Sequence, residues 1–229
     1  MVSVRSAGKV LLDRLFVHGT VVAAELITPR MRRITIAAPG LDWTPGQHIR
    51  LVAEGLVTRR TYSVWDYDGS SLELYVLDHG DGPGARWARS VRPDQEVLFT
   101  KPEGSLVTRP SAYHLFAGDE TAAVAFGPML RALGEDASAY GVIEADTPAD
   151  RLPIDLTWRF REGASAASSS TLAQAVSELD LPDEPGTAYL AGEARTVQAV
   201  RAHLVRERGW PRRSVVTKPF WTPGKKGME

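Results

Sequence analysis

Four consecutive residues, Arg60-Thr61-Tyr62-Ser63, place a cation, an aromatic ring and two hydroxyls side by side. Tyr62 can stack on a flat heteroaromatic ring, Arg60 can pair with a phosphate, and the Ser63 hydroxyl or backbone can reach a ring nitrogen. A plain strand carrying a surface arginine and a half-buried tyrosine has the same spelling. Further on stands His79-Gly80-Asp81-Gly82-Pro83-Gly84-Ala85-Arg86-Trp87. Its glycines let backbone N–H groups approach a pyrophosphate, and the start of a helix adds a partial positive charge. An ordinary hairpin-to-helix turn is the alternative. Each motif alone is common, but one hairpin separates them. Paired in register, they bring together a ring site, an anion site and hydrogen-bonding groups: the outline of a flavin nucleotide site.

Two more turns carry polar groups. Gly118-Asp119-Glu120-Thr121-Ala122 follows an apolar strand, at the place where open α/β sheets bind ligands. It is not G-x-G-x-x-G, and its side chains either cap the next helix or face a ligand; both readings stand. Ala191-Gly192-Glu193-Ala194 follows a later strand in the same way, and Arg195 and Arg201 beyond it suit a 2′-phosphate or a solvated helix face. Contiguous Asp119-Glu120 fits capping better than paired-carboxylate catalysis. The histidines (His18, His48, His79, His114, His203) show no metal-ligand spacing, so no metal site is expected, and no G-x-S-x-G nucleophile motif occurs. The absence of cysteine excludes thiolate-ligated iron–sulfur clusters, disulfides and a thiol nucleophile. Redox chemistry would have to come from a bound organic cofactor or a non-cysteine metal site.

The elements that must position these groups fall into two textures. From Phe16 to Phe99, short β-rich runs are broken at Thr28-Pro29, Pro39-Gly40, Pro45-Gly46 and Asp68-Gly69, with one short helix over Gly84–Ser90. That pattern predicts a closed antiparallel barrel. After Gly104 strands alternate with helices: strands at 113–117, 138–144, 156–160, 187–191 and 214–217, and helices from Gly118 to about Leu133, over 171–179 and over 193–208. Alternation of this kind predicts a parallel sheet covered on both faces. The expected division is residues 1–108 for the barrel and 109–229 for the α/β domain.

A hydrophobic share of 43% and a charged share of 24% fit a folded globular chain, and a net charge of −1 argues against duplex nucleic acid as partner. No apolar run reaches bilayer-spanning length. Met1–Leu15 lacks the pattern of a secretory signal, so a cytoplasmic location is expected.

With these residues in view, the chain resembles the siderophore-interacting proteins, flavin-dependent ferric-siderophore reductases of the ferredoxin–NADP reductase superfamily. The likeness rests on R-T-Y-S, H-G-D-G-P-G-A-R-W-A, G-D-E-T-A, A-G-E-A and the closing F-W-T-P-G, in that order. It implies an N-terminal FAD barrel and a C-terminal NAD(P)H domain. Arg60, Thr61, Tyr62 and Ser63 would hold the flavin ring and phosphates, with Tyr62 setting ring position and Ser63 stabilising charge on the reduced ring. His79, Gly80, Gly82, Pro83, Ala85 and Trp87 would line the phosphate and adenosine side. Thr121 and Ala122 would lie close to the flavin, Gly192 and Glu193 near the nicotinamide, and Asp119 and Trp221 would also belong to the cofactor-binding set. NADH or NADPH would be the reductant, with reduced ferredoxin as another donor, and Lys218, Lys225 and Lys226 would attract the ferric siderophore. Rival readings are a reductase feeding an oxygenase or ferredoxin, and a flavin-free iron-chelate binder. The chain departs from the family pattern at Trp65, where an arginine is frequent, and at Lys101-Pro102-Glu103-Gly104, in place of Gly-Pro-Arg-Gly. It departs again at Pro219-Phe220-Trp221, in place of Gly-Tyr-Trp.

Overall fold

A computed structural model describes residues 16–55 and 58–225; Met1–Leu15 and Lys226 lie outside the described residues. The chain forms two compact units divided between Ser105 and Leu106.

The first unit is a closed antiparallel barrel. Its strands are β1 (Val17–Leu26), β2 (Met31–Ala37), β3 (His48–Glu54), β4 (Thr58–Tyr67), β5 (Ser71–Leu77) and β6 (Glu96–Phe99), joined in the order β1-β2-β5-β4-β3-β6 and closed by β1 against β6. Period-two patterning drives it: in β5, Leu72, Leu74 and Val76 turn inward and their neighbours outward. The β4–β5 turn is set by Asp68, whose carboxylate accepts from the N–H groups of Ser70 (2.8 Å) and Ser71 (2.7 Å). Helix α1 (Pro83–Ser90) starts with proline at its first position and gives Trp87 and Ala88 to the barrel core. Burying the Trp87 ring contributes roughly 3 kcal/mol.

The second unit is a five-stranded parallel sheet in the order β11-β10-β7-β8-β9. Its strands are β7 (Tyr113–Asp119), β8 (Ser138–Ala145), β9 (Thr157–Phe160), β10 (Thr187–Glu193) and β11 (Val215–Trp221). Central β7 is buried at every position, as a strand covered on both faces must be. Helices α3 (Ser170–Ser177) and α4 (Ala194–Ala202) pack Leu172, Val176, Val197 and Val200 against Leu115 and Leu190 on one face. On the other, α2 (Glu120–Arg131) sets Phe126 edge-on to Phe116 at 5.3 Å, and Phe116 stacks on Tyr189 at 5.1 Å.

Two boundaries differ from the sequence expectation. The helix expected over 193–208 stops at Ala202 and continues as a π-turn, His203–Glu207. There Arg208 leaves the helical path to donate to the carbonyls of Ser177 and Leu179, and Trp210 is buried beside them. The last strand runs on to Trp221, through Pro219, because β11 lies at the sheet edge and tolerates a residue without an N–H. No helix among the described residues is long and apolar enough to cross a membrane.

Candidate functional site

Arg60 and Tyr62 sit in β4 opposite Leu51 and Ile49, both fully buried in the barrel, so they share the inner face at its mouth beneath α1. The approach is close. A Cβ added at Gly84 would lie 2.5 Å from the Tyr62 hydroxyl oxygen and 3.2 Å from Arg60 Cγ, so only glycine fits there. Trp87, 6% exposed, stacks on Tyr62 at 5.7 Å, and burial raises the Tyr62 pKa and keeps the phenol protonated. The hydroxyl has no hydrogen-bond partner among the described residues. Arg60 donates to the Arg59 carbonyl at 2.6 Å and meets no carboxylate among those residues.

Helix α1 opens next to these groups with its N-terminal N–H groups uncapped: Gly82 offers no side chain, and its first turn holds no acid. Around Gly80 and Gly82 the space is open. The preceding loop is braced from behind, Arg89 pairing with Asp78 (2.6 Å) and Asp81 (3.1 Å), and Arg86 with Glu54 (2.9 Å). His79 and Gly80 are exposed, and Ala85 is buried. The donor set is one guanidinium, one unpartnered hydroxyl and free helix N–H groups, without an opposing carboxylate. It fits the pyrophosphate of a dinucleotide.

Thr61 and Ser63 project to the other face of β4, where Thr61 pairs with Arg50 and Ser63 with His48. His48 is bridged in turn to Glu103, the backbone N–H and C=O of each bonding the other at 2.9 Å. Ser63, His48 and Glu103 therefore form one row across three chain segments. Glu103 Oε1 lies 2.8 Å from Arg50 Nε and 3.9 Å from His48 Nε2. Gly104, at φ +118°, leaves the room the imidazole occupies; a Cβ there would stand 2.8 Å from it. In the sequence Glu103 stands out only as a departure from the family pattern and His48 not at all, since the row exists only through strand pairing.

In the second unit the polar turns close on themselves. Asp119 is buried at the N-cap of α2. Its Oδ1 accepts from Thr121 N (2.9 Å), Thr121 Oγ1 (2.5 Å) and Ala122 N (3.3 Å), and its Oδ2 from Glu193 N (2.9 Å) and Trp221 Nε1 (2.8 Å). Burial and the neighbouring Glu120 push its pKa up, against the donors from Thr121 and Trp221. Gly192, at φ +111°, is required by that carboxylate, because a Cβ would lie 2.6 Å from Asp119 Cγ. Glu193 caps α4, accepting from Thr196 N (2.9 Å) and Ser168 N (3.1 Å); burial works to raise its pKa, and these hydrogen bonds outweigh it and hold it low. Ser169 caps α3 and donates to Glu144, which Arg161 joins to Glu120 in a buried network. Capping and ligand contact were open alternatives for Asp119; capping is what its side chain does here. Arg195 is exposed, Lys218 is half-buried on β11 in register with Ala191, and Lys225 is exposed.

Residues 111–224 match the siderophore-interacting protein family, and residues 53–106 match the siderophore-interacting FAD-binding domain. The chain belongs to the siderophore-interacting protein family. It is 30% identical to the ferric vibriobactin reductase of Vibrio cholerae over 178 residues, 72% of this chain and 65% of that protein. It thus spans somewhat under two thirds of that relative's length. A second relative, the mycobactin import ATP-binding/permease protein of Mycolicibacterium smegmatis, is 25% identical over 91% of this chain and 26% of its own. Among solved structures, a siderophore utilization protein from T. fusca superposes with a TM-score of 0.81 at 25% identity, covering 93% of this chain and 95% of that one. The barrel followed by a parallel sheet is a ferredoxin reductase-like fold, shared with the ferredoxin reductase of carbazole 1,9a-dioxygenase at a TM-score of 0.76 and 20% identity.

The family's FAD-binding region takes in β4, α1 and the Glu103 segment. Of the departures, Trp65 is buried and stacks on Tyr75 at 4.3 Å, and Glu103 is engaged with Arg50.

Proposed function

We propose that this chain is a flavin-dependent ferric-siderophore reductase. The observation that carries the reading is the uncapped start of α1 above Arg60 and Tyr62, a donor-only cradle beside Gly84 in a family whose barrel binds FAD. Arg60, the Tyr62 hydroxyl and the backbone N–H groups of Gly84 and Ala85 would hold the pyrophosphate, with His79, Gly80, Gly82 and Pro83 on its open side. Trp87 already covers one face of Tyr62 and would fix that side chain against the cofactor. Thr61 and Ser63 would meet the flavin from the outer face of β4, through hydroxyl or backbone, to stabilise charge as the ring is reduced.

FAD, when bound, supplies conversion of a two-electron hydride donor into one-electron reduction of Fe(III). The overall balance is one NADH or NADPH and two ferric chelates giving NAD(P)+, one proton and two ferrous ions, each then held weakly by a chelator built for Fe(III). The protein's part is binding, orientation and electrostatics, and no side-chain acid or base is required. In the second unit, Asp119, Glu193 and Ser169 close the helix starts from within, so the nicotinamide would meet Thr121, Ala122 and Gly192 rather than a bare helix N-terminus. Lys218 and Lys225, with Lys226 beyond them, would contact oxygen atoms of the chelate.

Reconstitution with FAD followed by absorbance tests the cofactor. Anaerobic addition of a ferric siderophore to the reduced protein, with a ferrous-iron trap, tests the reaction. Reoxidation no faster than that of free flavin refutes it.

A further inference from the structure

His48 is the member of the Ser63 row whose charge can change near neutral pH. Its place is fixed from two sides. Its backbone N–H and C=O bond those of Glu103 at 2.9 Å, and across the β3–β4 ladder it stands opposite Ser63. Opposed residues of antiparallel strands put their side chains on one face, about 5 Å apart at Cβ, so the imidazole neighbours the Ser63 hydroxyl on the outer face of β4. The ring is 9% exposed, with the bare Cα of Gly104 against its Nδ1 and Cε1 edge.

Two charged groups of the barrel face this ring. Arg50, two residues along β3, and Glu103, from the bridged segment, pair with each other at 2.8 Å. Glu103 Oε1 stands 3.9 Å from His48 Nε2, beyond hydrogen-bond reach. Strand β4 contributes Thr61 and Ser63, neither of them charged, and Lys101, two residues before Glu103, is exposed. Arg50 and Glu103 therefore oppose one another at the imidazole, while burial disfavours its charged form. A negative charge arriving beside Ser63 would tip that balance toward protonation.

We infer that His48 takes up a proton when the flavin beside Ser63 is reduced and gives it back on reoxidation, with Glu103 as the positioning residue that keeps the Arg50 charge matched. This rests on the reading that FAD meets Ser63, and it assigns a proton to that site. The nicotinamide hydride delivers two electrons and one proton, which leaves the ring with one added negative charge; His48 answers it with a proton from water. Passage of one electron to each of two ferric chelates removes that charge. The ring proton then leaves and His48 returns its own, so the overall balance is unchanged.

Spectroelectrochemical titration of the FAD-loaded protein across the neutral pH range tests it. Between the His48 titration points of the oxidised and reduced protein, two protons accompany the two electrons; outside them, one does. The wild-type midpoint potential should therefore fall with pH about twice as steeply inside that interval as outside it. His48→Gln should keep the shallow slope throughout. Imidazole NMR of wild type reads the same coupling without a variant, which covers the case in which His48→Gln misfolds. Reduction should raise the proton affinity of His48 about tenfold or more. Glu103→Gln leaves Arg50 unmatched and should lower that affinity in both redox states. A steep slope that survives His48→Gln, or a His48 titration indifferent to flavin reduction, overturns the inference and leaves the reductase reading standing. A protein that binds no FAD overturns both.

Discussion

Trp221 donates its indole N–H to Asp119 Oδ2 at 2.8 Å, joining the end of the last strand to the end of the first strand of the parallel sheet. The same oxygen takes the backbone N–H of Glu193, so one buried carboxylate fastens β7, β10 and β11 at the carboxyl ends of their strands. Asp119→Ala removes a helix cap and leaves two buried donors unpaired, which should cost about 4 kcal/mol. Trp221→Phe removes one donor and should cost about 1 kcal/mol. Urea denaturation gives both values, and the double variant should show the two losses to be non-additive.

Arg161 bridges Glu120 (2.7 Å) and Glu144 (3.2 Å), with all three side chains nearly inaccessible. Arg161→Met takes their shared cation from two buried carboxylates and should destabilise by about 3–5 kcal/mol at neutral pH. Burial already pushes the Glu144 pKa up, against hydrogen bonds from Ser169 and Arg161. Without Arg161 that rise is unopposed on its side, so the variant's deficit should shrink as pH falls toward 5. A deficit constant between pH 8 and pH 5 would rule out stranded charge as its cause.

His114 lies in β7, 5% exposed and flanked by Phe116 and Tyr189, with Nδ1 unbonded. Burial lowers its pKa below the ordinary 6.5. In the folded chain the ring stays neutral at a pH where the unfolded chain has already bound a proton. Stability from this residue is therefore complete above pH 6.5 and declines as pH falls through and below that value. His114→Phe should flatten that part of the stability curve between pH 7.5 and pH 5.5, measured by chemical denaturation.

Gly84→Ala places a methyl 2.5 Å from the Tyr62 hydroxyl oxygen, against the proposed pyrophosphate cradle. Alanine favours the helix by about 0.5–1 kcal/mol over glycine, so the fold should survive while FAD affinity drops about tenfold or more. Adding Tyr62→Phe removes the clashing oxygen and should recover part of the affinity. Flavin fluorescence titration reads both variants.

The fold was legible where local chemistry is decisive. Alternation in Leu72, Leu74 and Val76, the turn at Asp68-Gly69, and the apolar run ending at Gly118-Asp119 mark their elements directly. Arg60, Tyr62 and the glycines before Trp87 stand out only together, as two common motifs set one hairpin apart. The rest was hidden by distance along the chain. Arg161 reads as one more surface arginine until β9 pairs with β8 and brings it to Glu144. His48 and Glu103 carry no motif, and their row with Ser63 depends on register. Helical turns do continue to Glu207, but periodicity does not reveal the change from α to π after Ala202, nor that Arg208 turns away to hold the carbonyls of Ser177 and Leu179.

Pro219 has a meaning outside ligand binding. Strand β11 is an edge, paired on one side to β10. A glycine would keep its N–H and lend itself to pairing with a strand of another chain. Proline has no N–H to lend, and its ring stiffens the segment next to the Phe220 irregularity. Pro219 makes β11 a poor template for edge-to-edge association, guarding the sheet against aggregation at the side where it is otherwise open.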